Sequence, residues 1–205
     1  MEQQCSMKNS EKIILDLCGG TGAWSKPYKD AGYDVRVITL PEYDVCDYSP
    51  DEDTFEVYGI LAAPPCTMFS LARTTAKEPR NFTDGMVAVR ACMEIIWHVR
   101  AVGNLKFWAM ENPMGYLRQF MGKPAFTFDP SEFGGDYNKT TDIWGYFNEP
   151  KKKKTKTRFD STDKNTRKLP AIPQGYIRDP NMNTTAIKRS ITNAGFAQAF
   201  YEANK

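Results

Sequence analysis

Three short segments carry residue types able to do covalent or ligand-binding chemistry, and each stands at the end of an apolar run. Cys66 closes the segment AAPPC, where Pro64 and Pro65 fix the backbone just before the thiol. That placement suits a nucleophile, which must be held at near-attack geometry and be accessible as thiolate. The alternative is a buried cysteine filling space, since free cysteine packs as a small hydrophobe. Glu111 opens ENP after the apolar NLKFWAM. A carboxyl group in a strand-end cleft can keep a proton by desolvation and donate it to a heterocycle nitrogen. The same residues also suit the first turn of a helix, with Asn112 capping and Pro113 at the first helical position. In DLCGGTG, Gly19, Gly20 and Gly22 follow Asp16 and Cys18. Glycines there let a ligand approach the backbone, and a following helix offers free N–H groups, although a glycine-rich turn is also a common structural device.

The elements that must position these residues follow from periodicity. Residues 12–18 form a short apolar run bounded by glycine, 34–40 (DVRVITL) are β-branched, and 56–62 and 104–110 are two further apolar runs. All four predict strands. Residues 23–31 predict a helix ended by Gly32, and a long amphipathic helix is expected over about 84–102. Strands alternating with helices imply βαβ units and a mostly parallel sheet, whose carboxyl ends collect all three segments. Beyond Pro124 a strand is expected at 141–147, then an irregular stretch at 148–183 punctuated by prolines, then a helical stretch at 185–204 interrupted near Asn193 and Gly195. The expected organisation is a core over 1–147, a basic segment over 148–183 and a C-terminal helical part over 184–205 that completes the core.

Length and composition bound the rest. The chain has 205 residues, 41% hydrophobic and 25% charged, which suits one globular domain and excludes disordered, collagen-like and coiled-coil classes. Its formal net charge is +2, but residues 151–168 carry nine Lys and Arg against two Asp. That segment is therefore +7 and the remainder −5. No apolar run is long enough to span a membrane, and the N-terminal residues lack the apolar middle of a secretory signal. Five cysteines without a CxxC pair, with His98 the one histidine, predict neither a zinc site nor a disulfide framework. The expectation is a cytoplasmic monomer with no metal and no membrane partner. Trp97, His98, Trp108 and Met110 fit helix or strand patterns and are expected in the core or at its rim, and Trp144 is expected to pack the late strand.

Taken together and in this order, the segments resemble the motifs of small, phage-type DNA cytosine-5 methyltransferases. DLCGGTG resembles the family's cofactor loop, APPCTMFS its catalytic Pro-Pro-Cys motif, ENP its Glu-Asn-Val glutamate, and RSITNAGFAQAF its C-terminal cofactor motif. The resemblance implies an α/β, Rossmann-like class I methyltransferase fold, with a mostly parallel central sheet, helices on both faces and S-adenosyl-L-methionine as cofactor. It makes Cys66 the nucleophile that adds to cytosine carbon 6, and Glu111 the group that holds a proton toward ring nitrogen 3. The partner it implies is DNA in a bacterial cell or phage-infected host, with the target cytosine flipped out of the stack. Asp16, Cys18, Gly19, Gly20, Gly22, Trp24, Asp44, Pro64, Asn193, Gly195 and Phe196 would line the cofactor site, with Asp44 alternatively a turn residue. Residues 67–80 resemble the family's mobile catalytic loop, in which Ser70, Arg73, Lys77 and Arg80 would meet DNA.

The chain also departs from the family pattern. Cys18 stands where Phe is usual, and Thr39, Leu40 and Pro41 stand where an acidic residue normally ends the second strand, leaving Glu42 nearby. The paired arginines that help position cytosine and the thiolate are absent; Lys139 is the nearest match. The segment 148–183 is too short for a typical recognition domain. Its lysines, Lys151, Lys152, Lys153 and Lys154, make it a phosphate-binding arm, or else a solvated loop that touches nothing. Two other functions stay open on the residues alone: the same chemistry on RNA, and a non-catalytic module that binds the cofactor or DNA.

Overall fold

The computed structural model describes residues 7–50, 54–74, 76–153, 157, 169–177 and 184–205. The apolar runs form strands β1 (Ile13–Leu17), β2 (Asp34–Ile38), β3 (Val57–Ala62) and β4 (Phe107–Pro113), all parallel. Strand β6 (Thr141–Tyr146) lies antiparallel between β4 and β5 (Phe126–Phe128). Among the described residues the sheet order is β2-β1-β3-β4-β6-β5. This is the α/β, Rossmann-like arrangement expected. From β1 the chain steps outward to β2 and then returns to β3 on the other flank. The order therefore reverses at the β1/β3 boundary, where a crevice opens beyond the carboxyl ends of the strands.

Strand alternation sorts the core into two layers. Leu15, Leu17, Ile60 and Met110 point to the face covered by α2 (Phe82–Val102), where Val89, Cys92, Ile96 and Val99 are buried. Ile14, Leu61, Phe107 and Ala109 point to the opposite face. That face packs on Tyr28 of α1 (Lys26–Asp30) and on Phe196 and Phe200 of α5 (Ala194–Asn204). Because both faces are covered, the central strands β1 and β3 are largely apolar, whereas the edge strand β2 alternates charged and apolar residues. Trp108, Met110 and Trp144 are buried as expected, whereas Trp97 is half exposed.

Three local differences from the expected pattern have clear causes. Strand β4 begins later than expected and continues through Glu111, Asn112 and Pro113, because β6 pairs antiparallel with all three. The expected alternative of a helix turn at ENP is thereby replaced by strand, and Pro113 sits at the strand's last position, where its missing N–H is tolerated. Helix α1 starts at Lys26 rather than at residue 23, since residues 20–25 are held as turns by the Ser25 hydroxyl bond to Asp16. The one-turn α3 (Arg118–Met121) and the short β5 were not anticipated; Asp142 ties both down, accepting two hydrogen bonds from Arg118 and one from Thr127.

The C-terminal helical stretch is split as expected into α4 (Thr184–Ser190) and α5, and Asn193 caps α5 by accepting from the Phe196 N–H at 2.9 Å. Asn148 and Asn204 exchange backbone and side-chain hydrogen bonds, which fastens the end of the sheet to the end of α5. Gly195 has a packing role: a Cβ there would lie 1.9 Å from the Phe133 carbonyl oxygen. Substituting Gly195→Ala must push α5 off the 3₁₀ turn Pro130–Phe133. The expected loss is about 2 kcal/mol, read as a lower midpoint in urea unfolding.

Candidate functional site

The parallel register brings the carboxyl ends of β1, β3 and β4 to one edge, so the three chemistry-bearing segments become neighbours. The loop after β1 is anchored from inside. Asp16 is completely buried and accepts from the Ser25 hydroxyl, while its Oδ1 has no partner. A Cβ on Gly19 would collide with that carboxylate at 2.4 Å, so glycine is obligatory where the chain passes over Asp16. Gly20 is open on its side-chain side and its N–H donates to the Thr39 hydroxyl of the neighbouring strand end.

Cys18 adopts a positive φ of 55° and turns its side chain into the layer beneath α2. There it packs against the cluster that holds Cys92, whose thiol the neighbouring Cys18 and burial hold well above its ordinary pKa. Trp24 is buried, with its ring 5.9 Å from Phe196 and 5.4 Å from Phe200, and so links the loop to α5. Asp44 is exposed and accepts from the Cys46 N–H, a local turn bond.

Burial gives Asp16 a testable signature. Desolvation raises its pKa from 3.8 to about 6, against the lowering effect of the Ser25 hydrogen bonds. The fold thus favours the protonated acid. Its contribution to stability is complete below pH 3.8 and is lost as the pH rises through about 6. Thermal unfolding of the Asp16→Asn variant across this range is expected to gain on the wild type between pH 4 and pH 7; a constant difference would contradict it.

The turn after β3 carries Cys66. The Ala63 N–H donates to the Leu17 carbonyl and continues the ladder, after which Pro64 is buried. The Cys66 carbonyl accepts from the N–H groups of Phe69 and Ser70, closing a tight turn that leaves the thiol partly buried. Asn112, buried on β4, donates from Nδ2 to the Pro64 carbonyl at 3.0 Å. This bond sets the Cys66 turn against the Glu111 strand. No pattern in the sequence announced it.

Beyond the same strand edge, Glu111, Lys139, Tyr137 and Arg189 line two clefts that share Tyr137 and Lys139. Lys139 Nζ lies 3.8 Å from Glu111 Oε1, both largely buried. Tyr137, with Glu111, Lys139, Asn193 and Phe196, lines a cleft, and a second cleft beside it is lined by Tyr137, Lys139, Leu169 and Arg189. Burial pushes the Cys66 thiol up, Lys139 pulls it down, Glu111 pushes it up and Arg189 pulls it down. Burial and the nearby Glu111 and Asp129 charges push the Tyr137 phenol up to about 12. Glu111, on the strand that Asn112 fastens to the Cys66 turn, thus pairs with Lys139, and Tyr137 and Arg189 line the same clefts without any signal in the sequence.

Of the residues expected to grip phosphate, Arg80 and Lys152 turn back onto the protein. Arg80 donates to the carbonyls of Met68 and Ser70 at 2.8 and 2.9 Å and lies over the Tyr116 ring, so it clamps the loop after Cys66 rather than reaching outward. The Ser70 hydroxyl accepts from the Ala72 N–H. Lys77 is exposed, and Arg73 reaches the Pro79 carbonyl at 3.4 Å. Lys152 pairs with Glu132 at 3.0 Å, donates to the Thr127 carbonyl and sits over Phe126, so its charge is spent on the protein body. Lys151 and Lys153 are exposed, and Lys154 lies outside the described residues. Both corrections have one cause: a long cationic side chain next to free carbonyls or a carboxylate folds back onto them.

No protein-family model matches the chain, and no curated protein matches it. Among solved structures it is similar to a mutant of Spodoptera frugiperda DNMT2, with 17% sequence identity and a TM-score of 0.41 over 64% of this chain. The chain spans 48% of that protein, about half its length. Among the described residues, no helix is long and apolar enough to cross a membrane.

Proposed function

We propose that the protein transfers a methyl group from S-adenosyl-L-methionine to carbon 5 of cytosine in DNA, with Cys66 as covalent nucleophile. The observation that carries this reading is the convergence of Cys66, Glu111 and Lys139 at the strand edge that also bears the glycine loop. The loop fits the cofactor's chemistry. Asp16 offers a buried carboxylate oxygen without a partner, Gly19 admits no side chain, and the space over Gly20 is open. Gly19, Gly20, Gly22 and Asp44 would hold it from one side and Asn193 and Phe196 from the other. Bound there, the cofactor supplies an electrophilic methyl group.

The chain's own residues prepare the acceptor. The Cys66 thiol loses its proton to solvent and its sulfur forms a bond to ring carbon 6 as the carbon 5–carbon 6 double bond opens. The electron pair displaced from the ring is accommodated as Glu111 holds a proton at ring nitrogen 3, leaving carbon 5 nucleophilic. After carbon 5 is substituted, its proton passes to water acting as base, the electron pair re-forms the carbon 5–carbon 6 double bond, and the sulfur leaves as thiolate. Lys139, 3.8 Å from Glu111, offsets the charge that Glu111 carries once its proton has passed to the ring.

The test is incubation with 5-fluorocytosine oligonucleotides and S-adenosyl-L-methionine, because fluorine at carbon 5 blocks the last step and traps the adduct. A denaturation-resistant complex with DNA is expected. A complex with matched RNA alone would move the same chemistry to RNA, and none on either would overturn the enzymatic reading.

A further inference from the structure

The rim of the strand edge that bears Cys66 exposes aromatic rings for which the proposed chemistry has no use. There the loop after β3 and the segment after β4 are locked together: Ser70 bridges to Gly115, and the Tyr116 N–H donates to the Phe69 carbonyl at 2.9 Å. A Cβ on Gly115 would collide with that carbonyl oxygen, so the two segments meet backbone to backbone. At the junction Phe69 is fully buried, and Phe82, the first residue of α2, packs on it with 6.1 Å between ring centres. Phe82 in turn carries Tyr116 at 5.8 Å and Phe120 of α3 at 5.4 Å. Those two outer rings stay 41% and 48% exposed, and Leu71 and Met114 beside the junction are exposed as well. Rings fixed by buried neighbours but open to solvent form a shelf, and clustered exposed apolar side chains mark an interaction site where scattered single ones would not.

The charge of the same two segments points to the occupant. With Arg118 set aside because it pairs with Asp142, residues 67–80 and 114–123 hold four Lys and Arg against Glu78, a net of +3 within a body that is −5 as a whole. Lys77 and Lys123 are exposed. Flat exposed rings flanked by cations suit a polyanion whose own flat faces are free. Every nucleobase offers such a face, but in a duplex the neighbouring pairs cover it. We infer that Tyr116 and Phe120 stack the bases flanking the target in single-stranded or locally opened DNA, while Arg73, Lys77 and Lys123 meet its phosphates. This inference rests on the methyl-transfer reading for the target and names the form of DNA that the site takes. Such a substrate also lowers the unstacking cost of bringing a cytosine to Cys66.

The experiment is fluorescence anisotropy of a labelled oligonucleotide with the full chain and no cofactor, presented as a single DNA strand, as the same strand in a duplex, and as matched RNA. The single DNA strand is expected to bind most tightly. Phe120→Ala and Tyr116→Ala are each expected to weaken its binding about 5- to 100-fold. Its salt dependence and the affinity for the duplex are expected to stay unchanged, because the phosphate contacts remain. Phe120→Trp, which keeps a ring face, is expected to follow the wild type. Should the alanine variants fail to fold, Phe120→Leu, which fills the same place on Phe82 without a ring face, is used instead. Wild-type affinity in the variants that lack a ring would overturn the inference, as would tighter binding of the duplex or of the RNA strand. A dimer that Phe120→Ala dissolves, with single-strand binding intact, would give the surface to a second copy of the chain and overturn it too. Binding here needs neither Cys66 nor methyl transfer, so the two readings fail separately. If the 5-fluorocytosine trap yields nothing while the variants behave as expected, the cytosine reading falls and the shelf remains a single-strand site. An adduct on DNA together with unaffected variants would leave the chemistry and remove the shelf.

Discussion

Replacing Cys66 by alanine is expected to abolish both the trapped adduct and methyl transfer, a loss of about 10⁴-fold or more in turnover. The size follows from the chemistry: without the sulfur there is no covalent route to a nucleophilic carbon 5, and no neighbouring side chain in the described site offers another thiol. The fold should survive, because the turn is held by the Cys66 carbonyl, which accepts from Phe69 and Ser70, and by Asn112 on Pro64. Circular dichroism and thermal unfolding of the variant are therefore expected to match the wild type. An adduct that persists in Cys66→Ala would show that another residue attacks, and the proposed mechanism would fall.

Glu111→Gln is expected to lower turnover by about 10²- to 10³-fold, since the amide keeps the shape of the carboxyl group but cannot hand over a proton. A second readout separates this from simple damage to the site. Glu111 pushes the Cys66 thiol up, so removing its charge, and freeing Lys139 from the ion pair, should make the thiol easier to ionise. Alkylation of Cys66 near neutrality should become faster while methyl transfer becomes slower. Parallel loss of both would mean that the substitution disorders the turn, and unchanged transfer would remove Glu111 from the chemistry.

These opposed effects illustrate how the site divides its tasks. Asn112 and Arg80 touch no substrate atom in the proposed scheme, yet they fix the turn and the loop that carry Cys66. Arg80 spends its donors on the carbonyls of Met68 and Ser70, and its stack on Tyr116 joins the loop to the segment after β4. Lys152 of the basic run behaves alike: it anchors the start of the segment to Glu132, and Asn138 donates to the Thr157 carbonyl. The segment is thus moored beside the site at its beginning.

Much of this was legible in the chain because it is local. Apolar runs that end in glycine or proline mark strand ends, and alternation of β with α implies a parallel sheet. A parallel sheet puts every strand's carboxyl end on one edge, so the glycine loop, Cys66 and Glu111 had to meet. Residue types at those ends then stated the chemistry on offer. What the sequence could not decide is which distant groups close onto one another. The extension of β4 depends on pairing with β6, the inward turn of Cys18 on a thiol partner in α2, and the folding back of Arg80 and Lys152 on carbonyls that arrive from other segments. By itself, then, the sequence determined the elements, their order and the reactive groups at their ends. The tertiary structure decided which charges are free and which are paired, because burial and distance between remote residues exist only once the sheet and its two helical layers have closed.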